Sequence, residues 1–187
     1  MSDEDPGHGA VCAVRFRVDG REVEVDPKEW TLARYLRDEL GITAVKFACG
    51  EGACGACTIL CDGEPVPSCV IPLGLCDGTV VETAGHLARH SAEGRQVAEL
   101  FTNRAPMQCG FCTPGLLCTM TAALQDRTNG SGAQQRSPAP QKNAAASITA
   151  HLCRCTGYVG YLDCLHELLD AASPGGTGKE ASRRGQA

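Results

Sequence analysis

Apolar and polar residues alternate over residues 11–18, with Val14, Phe16 and Val18 on one side and Arg15 and Arg17 on the other. A period of two marks a strand with one buried face. Asp19-Gly20, a pair suited to a two-residue hairpin turn, leads into Arg21 to Val25, where Val23 and Val25 share a face. The chain is therefore expected to open with a β-hairpin. The period then lengthens. Leu32, Tyr35, Leu36 and Leu40 recur at helical spacing, with Asp26 as the expected N-cap, Pro27 at the first helical position and Gly41 as the stop. Residues 46–57 form a loop rich in Gly and Cys. Thr58 to Leu60 reads as a strand, Asp62-Gly63 as a second tight turn, and Val66 to Val70 and Thr79 to Glu82 as further short strands.

From about Leu87 the pattern is helical. Val97, Leu100 and Phe101 share a face; Thr113 is placed to cap a helix with Pro114 at its first position, and Leu117, Met120 and Leu124 make its stripe. Leu162, Leu165, Leu168, Leu169 and Ala172 make another stripe, stopped by Pro174-Gly175-Gly176. Between them, residues 126–146 are rich in Gly, Ser, Gln, Pro and Ala and read as a flexible insertion. The expected organisation is a disordered N-terminus at 1–10, an α+β domain at 11–86, a helical domain at 87–172 that contains the insertion, and a disordered tail at 173–187. The chain has no internal repeat.

Composition sharpens this picture in three places. Aromatic residues make up only 4 % of the 187 positions, so small aliphatic side chains must fill most of the core. The net charge of -5 disfavours a general nucleic-acid binder, which carries a basic excess. Thirteen cysteines are the dominant fact. The N-terminus shows no basic segment, apolar segment or twin arginine of an export signal, and no apolar run approaches the ~20 residues that span a bilayer. A cytoplasmic location is expected. There, dense cysteine points to metal or catalysis rather than to a secreted disulfide scaffold.

The cysteines fall into two unlike sets. Cys49, Cys54 and Cys57 have the spacing C-x4-C-x2-C, with Cys69 following a hairpin-like stretch. This is the plant-type ferredoxin spacing for a [2Fe–2S] cluster. Gly50, Gly52 and Gly55 let the loop wrap a cluster and aim its N–H groups at sulfur. Structural zinc usually comes as paired C-x2–4-C knuckles, which this set does not resemble. In the second set, Cys109 and Cys112 form C-x2-C directly before one helix, and Cys153 and Cys155 form C-x-C before another. Helix N-termini favour an anionic group. Spacing alone leaves both a second iron–sulfur cluster and a four-cysteine zinc site open for this set.

Three segments together carry a resemblance: Cys49-Gly-Glu-Gly-Ala-Cys-Gly-Ala-Cys57, Gln108-Cys-Gly-Phe-Cys-Thr-Pro-Gly115 and Leu152-Cys-Arg-Cys-Thr-Gly-Tyr158. In order and separation they resemble the small iron–sulfur subunit of the xanthine oxidase family of molybdenum hydroxylases, over roughly residues 11–172. The resemblance implies an α+β architecture: an N-terminal β-grasp, plant-type ferredoxin domain and a C-terminal all-α helical-bundle domain, each with one [2Fe–2S] cluster. It implies that Cys109, Cys112, Cys153 and Cys155 hold the cluster nearest the molybdenum cofactor, and Cys49, Cys54, Cys57 and Cys69 the cluster toward FAD. Gln108 matches a glutamine that contacts the molybdopterin, and Cys155 a ligand that approaches it. The implied partners are a molybdopterin-binding large subunit and an FAD-binding medium subunit, in a heterotrimer that itself dimerises. The implied role is electron transfer from molybdenum to FAD or an external acceptor, without substrate binding. The alternative is a free-standing two-cluster carrier; a zinc-based interaction module is a third reading.

Two stretches depart from the family pattern. The segment between Cys112 and Cys153 is longer and more polar than usual and shows no helix-starting signal before Leu152. Val159 to Cys164 is atypical, with Cys164 extra. Cys12, Cys61, Cys76, Cys118 and Cys164 lie outside the motifs and read as small buried apolar residues. His86, His90, His151 and His166 read as surface or structural, since eight thiolates already suffice.

Overall fold

The computed structural model describes residues 13–27, 30–128 and 144–172. Strands β1 (Val14–Val18) and β2 (Arg21–Val25) form the expected hairpin. Val14, Phe16 and Val18 are buried and the arginines between them exposed. Both turn residues, Asp19 at φ 52° and Gly20 at φ 82°, are left-handed, as the turn that matches strand twist requires. The second turn, at Asp62 and Gly63, repeats this geometry. It joins β3 (Thr58–Cys61) to β4 (Glu64–Pro67). With β5 (Val80–Glu82) the strands form one sheet in the order β2-β1-β5-β3-β4. β1 and β5 run parallel, and every other neighbouring pair is antiparallel. Each turn aspartate also reaches β5 or its end. Asp62 Oδ1 accepts the Val80 N–H at 2.9 Å, while Asp19 accepts both the N–H and the hydroxyl of Thr83 at 2.8 Å.

The first helix starts later than the sequence suggests. Helix α1 (Leu32–Arg34) begins beyond Asp26-Pro27, with Thr31 as N-cap accepting from the Arg34 N–H. It passes directly into a π-helical turn over Tyr35–Glu39, and Gly41 follows at φ 66°. Residues expected as one strand, 66–70, divide: β4 ends at Pro67 and a 3₁₀ turn covers Ser68–Val70. Pro67 removes a ladder donor, and the turn is what places Cys69.

The helical part begins at α2 (Ala84–His90), three residues before Leu87, so the boundary expected at 86/87 falls inside a helix. Ser91 caps α3 (Ala92–Arg104) by accepting the Gly94 N–H at 3.1 Å. Helix α4 (Thr113–Thr128) includes Thr113 as its first residue; the hydroxyl expected to cap it pairs with Tyr161 instead. The ends of the expected 126–146 insertion are helical, since α4 runs to Thr128 and α5 (Ala144–Thr149) begins at Ala144. Thus a helix does precede Leu152. Residues 129–143, the rest of the insertion, lie outside the described residues, as do Cys12 and the expected stop after Ala172. Helix α6 (Val159–Ala171) is the last element among the described residues and buries Tyr161, Cys164, Leu165 and Leu168.

Two apolar cores result, and β3 belongs to both. Ile59 belongs to the core that contains Phe16, Leu32, Leu36 and Val81, whereas Leu60 belongs to the core that contains Leu116, Met120 and Ile148. Neighbouring strand residues point to opposite faces, so helices covering the second face turn β3 into a continuous buried run. This shared strand fixes α4 against the sheet and brings the two cysteine motifs to one junction.

Candidate metal centres

The loop after the π-helical turn carries the first set. Gly50, Gly52 and Gly55 sit at φ 73°, 74° and 68°. These angles strain most side chains but suit glycine, and they turn successive N–H groups inward. The Glu51 N–H donates to Cys49 Sγ at 3.4 Å and the Gly52 N–H to Cys69 Sγ at 3.3 Å. Ser68 ties the 3₁₀ turn to the loop, its hydroxyl donating to the Cys57 carbonyl at 2.7 Å. Cys54, Cys57 and Cys69 are buried, and Cys49 is half-buried. The Glu51 and Cys54 backbone N–H groups lower the Cys49 thiol to about 6. Burial, and then the neighbouring Cys57, push the Cys69 thiol up to about 11. One end of the set is therefore prepared for a thiolate by amides. The other becomes anionic only with a cation at hand.

The second set is assembled from two loops. Cys112 is buried directly before α4, and Cys109 is exposed. Cys153 is half-buried and Cys155 exposed in the loop before α6. Burial raises the Cys153 thiol, but the Thr156 hydroxyl, at 3.0 Å from its sulfur, and the N–H groups of Cys155 and Thr156 bring it below the ordinary value. Burial, and then Cys153, push Cys112 up to about 11. Contact with Cys109 is the main reason Cys155 is raised. Tyr158 shapes this loop. It adopts a left-handed φ of 68°; its hydroxyl donates to the His151 carbonyl at 2.7 Å and itself accepts the Cys153 N–H at 3.0 Å.

All eight motif cysteines thus gather as two quartets, and each quartet is built from pairs. Cys49 meets Cys54, and Cys57 meets Cys69. Cys112 meets Cys153, and Cys109 meets Cys155. Among the described residues, no three His, Cys, Asp or Glu side chains are placed to hold a single metal ion. Gln108 is exposed beside Cys109. The quartets are joined through the backbone: the Leu152 N–H, one residue from Cys153, donates to the Cys54 carbonyl at 2.9 Å.

Three residues of this region were given no site role in the sequence reading. Tyr161, fully buried, bonds Thr113 Oγ1 at 2.8 Å and lies 3.9 Å from Cys112 Sγ. His151 is buried, and that burial lowers it to about 4, so it is neutral. Gly115 lies so close to the first loop that a Cβ there would overlap the Gly55 carbonyl oxygen. Of the cysteines outside the quartets, Cys76, Cys118 and Cys164 are buried as expected for apolar filling, and Cys61 is half-buried.

Comparison with known proteins identifies the two domains. Residues 16–123 match a 2Fe–2S iron–sulfur cluster binding domain and residues 83–166 a second [2Fe–2S] binding domain. The small subunit of nicotine 6-hydroxylase from Paenarthrobacter nicotinovorans is 37 % identical over 181 residues, spanning 96 % of this chain and 99 % of that protein. This chain belongs to the small iron–sulfur subunits of the molybdenum hydroxylases. Within that family, the small FeS subunit of nicotinate dehydrogenase from Eubacterium barkeri is 32 % identical, over 75 % of this chain and 83 % of that one. Quinoline 2-oxidoreductase from Pseudomonas putida 86 superposes with a TM-score of 0.69 at 28 % identity, covering 88 % of this chain and 97 % of the solved one. As an iron–sulfur subunit of this family the chain is a component of a molybdenum-dependent oxidoreductase. Among the described residues, no helix is long and apolar enough to cross a membrane.

Proposed function

We propose that this chain relays electrons within its complex. They leave a molybdopterin-bound molybdenum on a large partner subunit and pass singly through a cluster held by Cys109, Cys112, Cys153 and Cys155. They then pass through one held by Cys49, Cys54, Cys57 and Cys69, to FAD on a medium subunit or to an external acceptor. The 2.9 Å hydrogen bond from the Leu152 N–H to the Cys54 carbonyl carries this reading, because it gives two ligand sets a short backbone connection.

The donor chemistry fits the group. A bridged two-iron core takes two thiolates at each iron, which suits cysteines that meet two by two; tetrahedral zinc asks four ligands to converge on one point. Once bound, such a core accepts and returns single electrons at a potential tuned by charge, exposure and hydrogen bonds to sulfur. The chain's residues supply that tuning. The Glu51 and Gly52 N–H groups donate to sulfur at the first site, and Thr156 lies against sulfur at the second.

The surface supports two partner faces. Around exposed Cys109, Cys155 and Gln108, the side chains of Phe111, Leu152 and Val159 are 45 %, 66 % and 64 % exposed. An apolar patch rimming a cofactor motif is what a subunit interface covers, and this face is assigned to the large subunit, with Gln108 and Cys155 toward the pterin. Over the first loop, exposed Phe47 lies beside Gly50 and exposed Val70 beside Gly52. That face is assigned to the FAD-bearing medium subunit. The complex is a heterotrimer that itself dimerises, resides in the cytoplasm, and hydroxylates an N-heterocycle or aldehyde on the large subunit; this chain binds no substrate.

Iron and acid-labile sulfide analysis with EPR of the reduced complex tests this. About four irons per chain and two distinct signals are expected from two two-iron cores. One cluster or none rejects the relay, and isolation without any larger partner points to a free-standing carrier.

A further inference from the structure

His151 stands where four pieces of the chain meet, and its side chain is only 4 % exposed. Its Nε2 pairs with Thr119 Oγ1 of α4 at 2.8 Å. The opposite edge of the ring lies against Gly55 of the first cysteine loop, where a Cβ would overlap Nδ1. Gly115 of α4 flanks the same ring, with its Cβ position 3.2 Å from Cε1 and Nδ1. The backbone of His151 extends the connection. Its N–H donates to the Ile148 carbonyl of α5 at 3.1 Å, and its carbonyl accepts the Tyr158 hydroxyl of the second cysteine loop at 2.7 Å. The next N–H, of Leu152, reaches Cys54.

We propose that His151 is a positioning residue that clamps the two cysteine loops together through its ring and so sets the separation of the two clusters. The inference rests on the relay reading. Its physical basis is the shape of the site. Gly55 and Gly115 both lie against the Nδ1–Cε1 edge of the ring, where neither leaves room for a side chain, and Thr119 anchors Nε2 at the far end. A rigid ring wedged between Thr119 of α4 and the first cysteine loop holds that loop at a fixed distance from α4, because packed interiors transmit small displacements. A histidine serving only as core filling would need no polar anchor at its tip.

The experiment uses the assembled complex carrying His151→Ala or His151→Gln. The glutamine keeps a polar group at about the reach of Nε2. Two measurements are read at equal iron content: the magnetic interaction between the two reduced clusters by low-temperature EPR, and amide exchange of the peptide containing Leu152. With His151→Ala, the interaction is expected to weaken and the amide to exchange about tenfold faster, since the loops separate locally without global unfolding. His151→Gln is expected to recover part of both. Unchanged splitting and unchanged exchange in the alanine variant overturn the clamp. Loss of a single cluster in both variants, with the other intact, also overturns it, since the ring then serves one site. Wild-type complex with fewer than two EPR-active clusters rejects the relay reading instead, whatever the variants do.

Discussion

The backbone N–H of Leu152 donates to the carbonyl of Cys54 across the junction between the two cysteine loops, at 2.9 Å. Cys54 is a proposed ligand of one cluster, and Leu152 adjoins Cys153, a proposed ligand of the other. A hydrogen bond couples two groups electronically better than an equal gap filled only by contact. Leu152→Pro removes this donor, since proline has no N–H. The Leu152 side chain is largely exposed, so little core packing is lost with it. The variant complex is expected to retain both clusters and to show slower transfer between them, measured by flash reduction or rapid-freeze EPR. An unchanged rate would remove this hydrogen bond from the route.

The quartets are expected to fail independently. Cys54→Ala should abolish one EPR signal and Cys112→Ala the other, each lowering iron from about four to about two per chain. Because metal binding contributes folding free energy, each variant should also melt at a lower temperature than the parent. Loss of both signals from either substitution would mean that the quartets do not assemble separately.

Gln108 is exposed beside Cys109 on the apolar face assigned to the large subunit. Gln108→Ala removes no buried contact within the chain, so both clusters should assemble with unchanged iron content. What should suffer is coupling to the pterin: substrate-driven reduction of the clusters should slow, or molybdopterin content should fall. Turnover and cofactor content equal to the parent's would contradict the assigned role.

The hairpins, the helical stripes and the Gly–Cys loop were legible because each rests on local chemistry. Asp19-Gly20 and Asp62-Gly63 specify left-handed turns, and alternation specifies the buried face of β1. What escaped was set by tertiary contact. Thr113 carries the chemistry of a cap, yet its hydroxyl is turned to Tyr161, a residue on another helix. Asp26-Pro27 reads as a helix start, but the helix is capped by Thr31. The eight motif cysteines stand out because their spacing is itself a local constraint. The cysteine motifs gave no sign of the Leu152–Cys54 connection, which joins residues distant in sequence. His151 was legible as a surface or structural residue, but its contacts with Gly55 and Gly115 were not, because the three are distant in sequence.

Gly115 offers the sharpest contrast between local rule and packed structure. In a helix interior, alanine is favoured over glycine by about 1 kcal/mol, so helix propensity predicts that Gly115→Ala stabilises. In the fold, however, the added Cβ would overlap the Gly55 carbonyl oxygen and press on the His151 ring. Neither neighbour is a flexible side-chain end, and overpacking a rigid contact costs about 1–3 kcal/mol. The clash should therefore win, giving a net loss of up to about 2 kcal/mol. Gly85 in α2 is the control, because a Cβ there meets only the end of the Arg89 side chain, at 3.6 Å. Gly85→Ala should follow propensity and raise stability by up to about 1 kcal/mol. Denaturant unfolding of the two variants beside the parent decides the matter. Opposite signs are expected, and stabilisation by Gly115→Ala would show that α4 and the first cysteine loop are not packed as closely as described.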